Sequence, residues 1–446
     1  MATFSVDGLT SGINYTDLIN KIQDLERQPI TLMQSREADY NKQISLYGDL
    51  AAKLSALKSA ADALRTASRF DSRKASAGDP AVFDASAGSA AATGNYTVAV
   101  TTLAQAHRIA SSAVSAVTAA VSPAGGTFGF RVGSGAATTV AVTPTTTLSD
   151  LRDAINAARG DAEASILYDG TGYRLVLTSK ASGAGNAITV TENATTLALP
   201  SGPVTGGTTL QAAQDANFSV DGLPMTRSTN TVPDAIEGVS ITLKKAGTGT
   251  LSVTTDSDAI RKKIETFVSA YNDVVSLVSD NSAYDATKKK GGPLMGEATA
   301  QGVLDNLRSI VGRRVEGLPE GMRVLAQIGI KTGQDGKLSI DSTVLDDKIA
   351  TDLAGVSDLF NAAGGVANRL WDYAGRATDA VSGSVTVRKK GLEKTVGKID
   401  DDIAKIEDRL AREKEEMQQR FSKLEALLTT LSSQVSYIAR LTNSSG

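Results

Sequence analysis

One histidine, His107, stands in a chain of 446 residues that contains no cysteine. These two counts limit the chemistry within reach. Without cysteine there are no disulfides, no thiolate nucleophiles and no Cys-ligated zinc. A lone imidazole cannot build a multi-His metal site and completes few catalytic triads. His107 follows a strand-like run in a Gln/Arg context and is expected at the surface. Neither a phosphate-binding glycine loop between strand and helix nor a G-x-S-x-G elbow is present. Asp335-Gly336-Lys337 through Asp341 superficially matches a calcium loop. Its ligand spacing is wrong and strand residues occupy it, so a hairpin turn is expected. Lys288–Lys290 reads as a solvated loop run, and the acids of 399–416 as the solvated face of a helix. No catalytic, cofactor-binding or metal-ligating residue is assigned, and an enzyme is not expected.

The remaining chemistry is apolar association, and its signal is strongest in residues 392–441. Leu392, Val396, Ile399, Ile403, Ile406 and Leu410 step by four and three. The phase slips across the polar run 411–420 and resumes at Leu424, Leu428, Leu431, Val435, Ile438 and Leu441. A 3.5-residue period keeps one side of a helix toward a partner, and the slip resembles a stutter. Asp401/Lys405, Asp408/Arg412 and Glu416/Arg420 place an acid four residues before a base, the favourable order on an exposed helix face.

Other elements must position this helix. Asn14 caps a short helix whose apolar face is marked by Leu18, Ile22 and Leu25, and Pro29 ends or kinks it. A second helix carries Ile30, Met33, Tyr40, Ile44, Tyr47, Leu54, Leu57, Ala61 and Leu64 and fades near Ser68. Two striped ends far apart in sequence are natural antiparallel partners. From about residue 72 to 255 the chain reads as short strands with Gly, Pro and Asn punctuation. One helix, Thr147 to Arg159, interrupts them, and Asp169-Gly170-Thr171-Gly172 joins a strand pair. Residues 196–216 are low in complexity and read as a linker or long loop. Helices return at Ser257, with a hairpin at Ile328–Lys331 and Lys337–Ile340.

The fold class is therefore α+β and multidomain. A terminal coiled-coil or helical-bundle stem pairs the N- and C-terminal segments, and nested β-rich domains are inserted in the middle. The expected division is 1–36 with 415–446 as terminal leg helices, 37–71 with 256–414 as a helical stem, 72–110 with 208–255 as one β-rich domain, and 111–207 as an outer one. A net charge of −3 and 4% aromatic residues argue against nucleic acid. No run of about 18 apolar residues exists, so membrane insertion is not expected. A basic segment followed by an apolar core is missing at the start, so no cleaved secretory signal is expected.

Short motifs in a fixed order then add up. Val6-Asp7-Gly8-Leu9-Thr10-Ser11-Gly12-Ile13 is followed by Leu25-Glu26-Arg27-Gln28-Pro29. Tyr96-Thr97-Val98 leads to Leu103-Ala104-Gln105, and residues 147–190 look like a flagellin IN module. Phe218-Ser219-Val220-Asp221-Gly222, Thr229-Asn230-Thr231 and Gly238 to Leu243 come next. Phe267 to Asn272, Asp335 to Asp341, Leu359-Phe360 and Phe421 to Tyr437 complete the series. Together they resemble the flagellar filament cap proteins, the hook-associated protein 2 (FliD) family, over nearly the whole chain. Residues 196–216 have no clear counterpart.

The resemblance implies a structural capping protein at the distal tip of the bacterial flagellar filament, extracellular and exported through the flagellar type III pathway. It implies a ring-shaped homo-oligomer, a pentamer, that retains flagellin and promotes its folding and insertion. Further implied partners are hook–filament junction proteins and an export chaperone on the C-terminal helix. A surface adhesin or another flagellar axial protein is the alternative reading. The interaction residues expected on the legs are Leu9, Ile13, Leu18, Ile22, Leu25, Leu424, Leu428, Leu431, Val435, Ile438 and Leu441.

Overall fold

The structure is a computed structural model that describes residues 14–287 and 289–443. The chain divides into two compact units, one of residues up to Phe70 with those from Ile260 onward, the other Asp71–Ala259. Among the described residues the helices run in chain order as α1 (Tyr15–Glu26), α2 (Gln28–Asp62), α3 (Leu148–Ala157), α4 (Ser257–Ser282), α5 (Ala298–Gly312), α6 (Ser342–Thr351), α7 (Leu353–Asn361), α8 (Val366–Ala377) and α9 (Ser384–Asn443).

The helical unit starts from a cap legible in the sequence. Asn14 Oδ1 accepts the Asp17 N–H at 2.8 Å and starts α1. Arg27 breaks the run, and Pro29 falls in the first turn of α2, where its missing N–H costs nothing. The helix α2 buries Tyr47, Leu50, Leu54, Leu57 and Ala61 in one core with Ile264, Phe267, Tyr271 and Val275 of α4 and Leu359 and Phe360 of α7. Phe267 meets Phe360 edge-on at 5.6 Å. Each fully buried Leu contributes about 1.5–3 kcal/mol, so this cluster carries much of the unit's stability. The terminal helix α9 is unbroken for 60 residues, so it spans ~90 Å at ~1.5 Å per residue. The polar run 411–420 does not interrupt it. Arg412 pairs with Asp408 at 2.7 Å and Arg420 with Glu416 at 3.6 Å. Lys405 turns instead to Asp402 at 2.9 Å, one residue nearer than Asp401.

Two apolar clusters make up the core of the other unit. One gathers Phe83, Val98, Val100, Phe218, Val239, Ile241 and Leu251. It draws on two antiparallel sheets, one ordered Arg73–Ala77, Gly247–Thr255, Gly94–Thr102, Ala216–Val220 and Leu223–Arg227, the other Thr231–Ile236, Val239–Leu243 and Phe83–Ala87. The other gathers Phe128, Phe130, Leu151, Ile155, Leu175, Leu177 and Ile188. Here α3 is started by a capping box, Thr147 with Asp150, and turns Leu148, Leu151 and Ile155 inward. Residues 196–216 are not a linker. Leu197 and Leu199 are fully buried, and Thr208–Gln211 pairs with Ala106–Ala110. Gly207 permits that closeness, since a Cβ there would lie 2.3 Å from the Ala110 carbonyl oxygen.

The short motifs of the sequence meet in space. Asn272 clasps the backbone of Leu338 from both sides, its Nδ2 donating to the carbonyl at 2.8 Å and its Oδ1 accepting the N–H at 2.7 Å. Asn230 does the same to Ala104, at 2.9 and 2.7 Å. Asp221, at a positive φ of 49°, exchanges hydrogen bonds with the Thr97 backbone through its N–H and carboxylate, at 2.8 and 2.7 Å. Each motif therefore supplies a polar side chain that pairs backbone groups of another motif.

Candidate protein-interaction surface

The expected interaction residues lie on α1 and α9, and these two helices first have to be held together. They run antiparallel: Tyr15 stacks on Phe421 with ring centroids 4.6 Å apart, Gln23 Nε2 donates to the Leu410 carbonyl at 3.0 Å, and Glu26 lies 4.0 Å from Arg409. The buried face of α1 is Tyr15, Ile19 and Gln23. Leu18, Ile22 and Leu25, the expected leg interaction residues of this helix, do not pack inward. They line the adjoining face, with Leu25 65% exposed. The reason is the partner. On α9 the Leu410 side chain is buried, and a glutamine can reach its carbonyl from the Tyr15–Ile19 face.

The seam of α9 changes character along its length. Leu392 and Leu410 are buried, and Val396, Ile399, Ile403 and Ile406 are half-buried. Past Phe421 the same periodicity continues with little among the described residues to cover it. Leu424, Leu431 (48%), Val435 and Ile438 are exposed, while Leu428 is half-buried. Leu9 and Ile13 lie outside the described residues, as does the side chain of Leu441. Leu32, Leu427 and Tyr437 are exposed apolar residues that the sequence reading left out. Leu427 was legible, since 424, 427, 431, 435 and 438 also follow a three-and-four spacing.

A polar clamp ties the stem. Arg388 on α9 donates two hydrogen bonds to Glu297, from Nε at 2.9 Å and Nη2 at 2.8 Å, and the Tyr47 hydroxyl of α2 donates a third at 2.8 Å. The Arg388 bonds hold the Glu297 carboxyl below the usual range, and burial pushes the Tyr47 hydroxyl up to about 12. No sequence pattern joins these residues, which are distant in the chain.

Among the described residues no group of three or more His, Asp or Glu side chains is placed to hold a metal ion. His107 is not a simple surface residue. It is half-buried, and its Nδ1 accepts the Ile188 N–H at 2.8 Å, so the ring bonds the backbone as a neutral acceptor. Burial holds its pKa below the ordinary value. No helix among the described residues is long and apolar enough to cross a membrane.

Comparison with known proteins follows this layout. The profile of the flagellar hook-associated protein 2 C-terminus matches residues 213–433, and that of its N-terminus residues 11–107. The flagellin hook IN motif matches residues 127–181. A B-type flagellar hook-associated protein 2 of Pseudomonas aeruginosa is 31% identical over 453 aligned positions, covering 94% of each chain. A flagellar hook-associated protein 2 of Escherichia coli is 28% identical and covers 99% of this chain and 98% of its own. The crystal structure of the Escherichia coli flagellar cap protein FliD, domains D1-D2-D3, superposes with a TM-score of 0.62 at 27% identity, over 78% of this chain and 99% of that one.

Proposed function

The chain belongs to the flagellar hook-associated protein 2 family, and from that premise we propose that it caps the distal end of the flagellar filament from outside the cell. In this reading it retains exported flagellin at the tip and promotes its folding and insertion, without covalent chemistry. The observation that carries the reading is the exposed apolar row on α1 and α9, Leu18, Ile22, Leu25, Leu424, Leu431 and Val435. Apolar side chains at heptad spacing on an exposed helix call for a helical partner, and flagellin-like helical termini supply one. The half-buried Leu428 borders the same row.

The finer parts of the proposal follow. Residues up to 36 and from 415 act as legs, 37–71 with 256–414 as stem, 72–110 with 208–255 as plate, and 111–207 as the outer domain. The protein assembles as a ring, a pentamer, beside the hook–filament junction proteins. It leaves the cell through the flagellar type III channel, with an export chaperone on α9. Contacts that hold a leg and yet release it as subunits arrive should be modest in area.

The test is the fate of flagellin in a strain lacking this protein, measured in cell-free medium and on intact filaments. Abundant free flagellin with filaments lost is the expected outcome. Normal filaments refute the capping role.

A further inference from the structure

Four arginines gather on the helical unit. Arg313 and Arg314 directly follow α5, Arg323 lies on the returning loop, and Arg369 sits near the start of α8. The backbone draws them together. The Val315 N–H donates to the Arg323 carbonyl at 2.9 Å, and Arg369 Nη2 donates to the Arg314 carbonyl at 3.2 Å. Arg314 and Arg323 line a cavity of about 230 Å³ with Glu320, Val324 and Gln327.

Two of the guanidinium groups are anchored but not neutralised. Arg323 Nε donates to the Leu318 carbonyl at 2.6 Å, and Arg369 Nε to the Gly364 carbonyl. Among the described residues none of the four forms an ion pair, and Glu320 shares the cavity without forming one. Arg369 Nη1 is buried and has no hydrogen-bond partner. Burial, and then the charge of Arg313, push the Arg369 pKa down. Gathering like charges and stranding a buried donor both cost stability, and no contact among the described residues offsets either. A planar oxyanion at the cavity would offset the gathered charge, because guanidinium forks bond carboxylates through paired N–H groups. Neither a lysine nor a glycine-rich loop lines the cavity, the groups that phosphate sites commonly add.

We propose that the cluster of Arg313, Arg314, Arg323 and Arg369 is a docking site for a carboxylate presented by an acidic protein segment. This does not depend on the tip role, since it rests on the helical unit alone. The experiment is calorimetric titration of the full chain with a hexaglutamate peptide at low ionic strength, with inorganic phosphate as a second ligand. The test variant is Arg313→Gln with Arg314→Gln, both exposed positions. The control is Lys394→Gln with Lys398→Gln, which removes the same charge from exposed sites on α9. The expected result is saturable peptide binding that weakens about ten-fold or more in the arginine variant, stays unchanged in the lysine control, and fades with added salt. No saturable binding, or an equal loss in both variants, overturns the site. Phosphate binding tighter than the peptide overturns the carboxylate assignment. If the double variant melts early, Arg314→Gln alone is read against the same control.

Discussion

Leu431→Asp separates an intermolecular leg from an internal helix. Leu431 is 48% exposed, so about half of its side chain is left to bury in a partner. Full burial of a leucine is worth about 1.5–3 kcal/mol, which leaves ~1 kcal/mol to be gained on docking. Aspartate forfeits that gain and forces a carboxylate to be desolvated in an apolar contact, a further cost of about 2 kcal/mol or more. The sum, about 3 kcal/mol per leg, weakens each contact about 100-fold. In the isolated protein the change should stay within ~0.5 kcal/mol, because the substituted side chain is on an exposed face. Ser432→Asp adds the same charge one residue away, off the apolar row, and should be tolerated.

Two assays read the pair. Thermal melting of the purified protein should be unchanged in both variants. In cells, Leu431→Asp should release flagellin to the medium and shorten filaments, while Ser432→Asp should not. Normal filament growth with Leu431→Asp refutes the reasoning. A clear loss of stability in the isolated Leu431→Asp protein refutes it differently, by showing that Leu431 packs within its own chain.

Three further outcomes are expected. Gln23→Leu keeps volume but loses the bond to the Leu410 carbonyl, worth about 1 kcal/mol, so amide exchange in α1 should quicken about five-fold while the stem is unchanged. Glu297→Gln should cost the stem about 2 kcal/mol at pH 7, read by urea unfolding through Trp371, the only tryptophan. Because the Glu297 pKa is depressed, its contribution is present above the unfolded value near 4.5 and lost as pH falls through the folded one. The gap between variant and parent should therefore narrow in acid. The ring signal of the sole histidine, followed by NMR, should titrate below 6.5. The neutral form of His107 is favoured on folding, so its stabilisation is present above 6.5 and lost as pH falls below it, and His107→Asn should remove that dependence.

Much of the architecture was legible because its signals are local. A 3.6-residue period, a capping asparagine at Asn14 or a capping box at Thr147 acts within a few residues, so α1, α2, α3 and α9 could be drawn from the chain alone. The order of the motifs was legible for the same reason. What Asn272, Asn230 and Asp221 do was not, since each pairs a backbone stretch far away in sequence. Residues 196–216 read as a linker or long loop; much of the stretch is irregular, but its packing was not legible because Leu197 and Leu199 are too few to set a period, and glycine there serves close packing.

The sequence by itself determined that this protein has helical ends bearing apolar stripes, an inserted β-rich middle and no thiol chemistry. Which stripe is buried was decided by tertiary structure. On α1, Tyr15, Ile19 and Gln23 form one face and Leu18, Ile22 and Leu25 another, and hydrophobicity alone favours the second. The first is buried because its partner lies 387 residues away, where Leu410 offers a carbonyl to Gln23 and Phe421 offers a ring to Tyr15. Periodicity reports what a helix could bury, whereas burial depends on what another part of the chain brings to meet it.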